Sequence, residues 1–110
     1  VDGKIKAKEV EIDASNWCDY VFEPEYKMMN WKEKLDYLKK YKHLPGIAPG
    51  KEIENNGLKT GETMKGIMLN VEENTLDIIE LYKMNEQLME IVKKQNEEIV
   101  FLKKEINKTK

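Results

Sequence analysis

An α+β fold is predicted, with a small head over residues 1–60 and a long parallel coiled-coil helix over residues 61–110. The head is expected to hold a short antiparallel sheet and one packed helix. Three observations predict this. Residues 3–12 alternate charged and apolar side chains, residues 31–42 carry apolar residues at helical spacing, and residues 64–109 sustain a heptad repeat.

The first segment, Gly3-Lys4-Ile5-Lys6-Ala7-Lys8-Glu9-Val10-Glu11-Ile12, has the period of a half-buried strand. Its phase slips between Ala7 and Val10, which predicts a bulge or break. Residues 13–16 read as a turn. Residues 17–22 read as a short aromatic strand, stopped at Glu23-Pro24 because the residue before proline is pushed to extended geometry.

Asn30 with Glu33 three positions on forms a capping-box pattern, so a helix should start there and run to about Lys42. Trp31, Leu35 and Leu38 make its apolar stripe, with Lys32, Lys39 and Lys40 away from it. Leu44-Pro45-Gly46-Ile47 ends it, and Pro49-Gly50 and Asn55-Asn56-Gly57 mark further turns, with a short helix over residues 51–54.

A long helix should occupy residues 63–108. With Met64 at position a, the a sites are Met64, Val71, Ile78, Asn85, Val92, Ile99 and Ile106. The d sites are Ile67, Asn74, Leu81, Leu88, Gln95, Leu102 and Thr109. Ten of these fourteen are apolar and the register never breaks, which a lone surface helix does not require. Such a helix is at least roughly 66 Å long, more than so small a head can cover. Glu98 at g and Lys103 at e carry opposite signs, as a parallel coil prefers. Asn74, Asn85 and Gln95 weaken the seam and fix its register.

Between Ile78 and Val92 the e and g sites are apolar too, at Tyr82, Met84, Met89 and Ile91; afterwards they turn polar. The broad middle should therefore meet something extra, either the head of its own or a neighbouring chain or the further helices of a higher oligomer. Branched a residues, Leu at d and Asn at a favour two strands; amides at d and the broad stripe favour three.

Composition excludes several classes of function. The net charge is −2, with 19 Lys, no Arg and 21 acidic residues. Residues 1–29 sum to −3, residues 30–60 to +3 and residues 61–110 to −2, so no basic stripe for nucleic acid exists. No apolar run reaches the roughly 18–20 residues of a membrane span. One cysteine, Cys18, allows no intrachain disulfide and reads as a small buried hydrophobe. A head this small needs help from other chains. The start at Val1 without Met reads as a fragment of a longer protein.

Catalytic chemistry finds little to work with. The single serine, Ser15, lies in a polar turn, and the single histidine, His43, follows a helix C-terminus, where a donor suits exposed carbonyls. One His and one Cys are too few for a zinc site. Gly57, Gly61 and Gly66 lack the strand and the Lys-Ser/Thr ending of a phosphate loop. No enzyme activity, cofactor or metal is expected. The aromatic cluster Trp17, Tyr20, Phe22, Tyr26 and Trp31 reads as core or interface.

The segments Trp17-Cys18-Asp19-Tyr20-Val21-Phe22-Glu23, His43-Leu44-Pro45-Gly46-Ile47 and Gly57-Leu58-Lys59-Thr60-Gly61-Glu62, followed by the coil, resemble a known C-terminal module. It is the tail-fibre-type domain that ends long repetitive proteins of Bacteroidetes-type bacteria and their phages. The resemblance covers nearly the whole chain, with Trp17, Tyr20, Phe22, Trp31, His43, Pro45 and Gly46 as its head motif. The layout is also loosely similar to the intramolecular chaperone of endosialidase-type tail spikes, which implies a trimer and a role in assembly. Those chaperones cut before a Ser-Asp pair. Here Ser15 precedes Asn16, so self-cleavage within this chain is not expected.

These readings together predict a homo-oligomer, three chains favoured over two, joined through Val71, Asn74, Ile78, Leu81, Asn85, Leu88, Val92, Gln95, Ile99, Leu102 and Ile106. The resemblance favours the cell surface or a virion as its place. The alternative is an adapter, whose aromatic head binds another protein of a secretion or tail machine.

Overall fold

The computed structural model describes residues 3–109; Val1, Asp2 and Lys110 lie outside them, and with them the reading of Val1 as a fragment's first residue. The described chain holds a 3-10 helix at Cys18–Phe22, then α1 (Trp31–Tyr41), α2 (Gly50–Asn56) and α3 (Thr60–Lys108). It contains no strand. The expected α+β head with an antiparallel sheet is therefore replaced by one whose regular structure is all helical.

Both strand predictions fail for identifiable reasons. Alternation records which side chains want cover, but a strand also needs a neighbour for its N–H and C=O groups. Residues 3–12 gain no neighbouring strand: they run without regular structure, and Ile5 is 94% exposed. Residues 18–22 instead wind with three residues per turn, which puts Cys18 and Val21 on one side. Those two are the fully buried apolar side chains among the described residues, while Trp17, Tyr20 and Phe22 stay exposed.

The helix signals translate more directly. Asn30 Oδ1 accepts from the Glu33 N–H at 2.9 Å, and the Asn30 N–H donates to Glu33 Oε1 at 3.3 Å, closing the capping box of α1. At its other end Lys42 turns into the left-handed region, φ 59°, and its N–H donates to the Leu38 carbonyl. The short helix α2 extends one residue before and two beyond its predicted span, closed by the Gly57 N–H on the Ile53 carbonyl. α3 starts at Thr60, three residues before the predicted point.

Two compact units emerge, Val1–Glu73 and Asn74–Lys110. The first holds the 3-10 helix, α1, α2 and the opening turns of α3. The second consists of the rest of α3, and none of its described residues is buried.

Candidate oligomerisation surface

α3 positions the predicted seam. A heptad repeat on a helix of 3.6 residues per turn keeps a and d side chains on one slowly drifting stripe. Eight apolar members of that stripe, Val71, Ile78, Leu81, Leu88, Val92, Ile99, Leu102 and Ile106, are each 49–64% exposed. The polar members Asn74, Asn85 and Gln95 are exposed as well, and Asn85 Nδ2 reaches only Met89 Sδ, 3.8 Å away on its own helix. Tyr82, Met84, Met89 and Ile91, beside the seam, are half exposed or more. Helices in water take most of their stability from a buried apolar face, and from residue 74 onward this one buries no described residue within its own chain.

Within the first unit, the opening turns of α3 are gripped by the head. Gly66 is the point of closest approach: a Cβ there would fall on the Gly46 carbonyl oxygen and lie 2.8 Å from Ile47 Cδ1. Gly46 sits at φ 81°, a conformation open to glycine, so both glycines are dictated by the geometry. One turn on, Asn70 Nδ2 donates to the Pro45 carbonyl at 2.9 Å and to the Gly66 carbonyl at 2.8 Å. Lys65 Nζ donates to the Ser15 carbonyl at 3.0 Å, and the Tyr26 hydroxyl to Glu73 Oε2 at 2.6 Å. Residues 43–47 and 15–26 are thus tied to one stretch of α3.

Electrostatics follow from that packing. Burial, followed by the Glu73 hydrogen bond, pushes the Tyr26 phenol up to about 12. Burial also raises the Cys18 thiol, helped by its hydrogen bond to Glu72. Cys18 has no solvent access, which agrees with reading it as a small buried hydrophobe. Glu72 is itself buried, and its Oε2 has no hydrogen-bond partner among the described residues.

The head-motif residues divide. Pro45 and Gly46 form the contact with α3. Tyr20 packs against Tyr26, ring centroids 5.6 Å apart. His43 Nδ1 lies 3.0 Å from the Leu44 carbonyl oxygen, and the ring meets Tyr37 edge-on at 5.8 Å. Trp31 instead stands 69% exposed, with the Lys32 ammonium 5.5 Å from its ring. Sequence reasoning missed Lys65, Asn70, Glu72 and Glu73 as head contacts. Gly66 was the available signal, since a glycine inside a helix costs about 1 kcal/mol and needs a reason.

Among the described residues no three His, Cys, Asp or Glu side chains gather to hold a metal, and no helix is long and apolar enough to cross a membrane. No family model, curated protein or solved structure matches the chain.

Proposed function

We propose that this chain is a non-enzymatic self-association module whose α3 pairs in parallel with copies of itself, three chains being the favoured order. In this reading it holds identical chains in register at the end of a fibrous surface or phage tail-fibre-like protein and assists their assembly. The observation that carries it is the exposed seam: eight apolar a and d side chains, in unbroken register, left in water by a single chain. A 3.5-residue repeat is self-complementary, because knobs at a and d fit holes made by the same positions of an identical helix. That makes a second copy the natural cover. The fibre context draws on the Trp17 to Glu23 and His43 to Ile47 motifs.

Light scattering coupled to size separation, over a concentration series, tests it. The expected mass is three times 13.0 kDa. Twice that unit mass keeps the coil and replaces the trimer. A chain that stays monomeric at high concentration overturns the reading. In the associated protein, Leu88→Asn with Val92→Asn is expected to return the mass to that of one chain.

A further inference from the structure

α1 has an apolar stripe and no buried residue. Trp31, Leu35 and Leu38, at i, i+4 and i+7, are 69, 43 and 40% exposed. A second uncovered surface of similar extent lies on α3. Tyr82 and Met89 occupy e and Met84 and Ile91 occupy g, all half exposed or more. In a parallel coil, e of one helix and g of the next border the same groove. Each groove of the oligomer would then have two apolar walls, which closure of the a/d seam leaves open.

We propose that α1 of one copy lies in the α3–α3 groove of a neighbouring copy at residues 82–91, so that each head clamps the coil of its neighbours. The proposal rests on the self-association reading above. Dimensions agree: Trp31 to Leu38 spans about 10.5 Å of helix axis and Tyr82 to Ile91 about 13.5 Å. Charges agree as well. α1 carries four Lys against two acids, whereas residues 79–91 carry Glu80, Glu86 and Glu90 against Lys83. On helical geometry Lys32 and Lys39 border the α1 stripe on one side and Lys34 on the other. Glu86, at b, borders the e wall of the groove, and Glu80, at c, borders the g wall. Basic edges thus meet acidic edges around an apolar centre, the arrangement that sets orientation and partner choice at interfaces.

Carbodiimide cross-linking of a mixed-isotope oligomer tests this. Light and heavy-nitrogen chains are unfolded together, refolded, sized by light scattering and treated with the carbodiimide, which joins lysine amines to carboxylates. Mass spectrometry should find Lys32 or Lys39 joined to Glu80 or Glu86, with one light and one heavy peptide in the mixed fraction. In an oligomer, α1–α3 links of matched label only mean that α1 packs on its own chain and overturn the proposal. Absence of α1–α3 links in an oligomer overturns it too; in both cases the seam reading stands. A monomer overturns both readings together. As a second arm, Leu35→Glu with Leu38→Glu should raise the concentration at half-dissociation at least about tenfold, a step of about 1.4 kcal/mol. An unchanged midpoint with circular dichroism preserved overturns the proposal.

Discussion

At Gly66 two opposing preferences can be weighed. Helix propensity alone makes Gly66→Ala favourable by about 1 kcal/mol. The new methyl, however, would fall on the Gly46 carbonyl, which is backbone and cannot swing aside as a side chain would. Overpacking of this kind costs about 1–3 kcal/mol, so the clash wins. Gly66→Ala should lower the thermal midpoint of the head, and a midpoint that rises would remove the close approach from the account. Tyr26 gives a pH-dependent prediction. Its folded phenol is raised from 10 to about 12, so the neutral form is the one the fold favours. Its contribution is complete below pH 10 and disappears as pH climbs from 10 to 12. The stability difference between wild type and Tyr26→Phe should hold steady to pH 10 and shrink above it. A difference that instead shrinks below pH 9 would show that Tyr26 is not the group responsible.

Among the elements, helices were legible, whereas the two strands read from the sequence do not form. Asn30 and Glu33 act on backbone groups three residues away, so their capping box needs nothing beyond the local chain. The heptads of α3 are a property of one helix and survive whatever surrounds it. Residues 3–12 depend on a partner that sequence alternation cannot supply. The period of three that buries Cys18 and Val21 is too short a run to stand out beside aromatic neighbours. Contacts such as Asn70 to Pro45, 25 residues apart, leave no periodic trace at all. The seam itself allows a prediction at this scale. Asn85 sits at an a position, where a polar layer costs stability and restricts order and register. Asn85→Ile should raise the thermal midpoint while broadening the mass distribution to more than one oligomer. A single unchanged mass would mean that Asn74 and Gln95 suffice to fix the order.

For the whole molecule, apolar exposure is the dominant fact. Apart from Cys18 and Val21, no described apolar side chain is fully buried, while large ones along α1 and α3 face water. A domain that buries so little cannot offset its conformational entropy from its own core. Its stability should therefore come from mass action between copies. The thermal midpoint should climb with each tenfold rise in protein concentration, as scanning calorimetry would record. A concentration-independent midpoint would assign the stability to the single chain and contradict the exposed seam. The long helix and its a/d register were legible, because that spacing is local to one chain. The grip of residues 43–47 on α3 was not, because its key atoms are backbone carbonyls with no side-chain signature.

The hydrogen bonds that tie the head to α3 close long stretches of chain, 50 residues from Ser15 to Lys65 and 47 from Tyr26 to Glu73. The second unit, by contrast, is built from contacts within a single helix. Local helix forms within about a microsecond, whereas closing long loops and docking them is slower. Refolding should accordingly resolve into two kinetic phases of different molecularity. On the self-association reading, zipping of the coil should accelerate as chains become more crowded, while closure of the head over Gly66 should keep one rate at every dilution. When copies are scarce, each chain would then meet its partners with its head already closed.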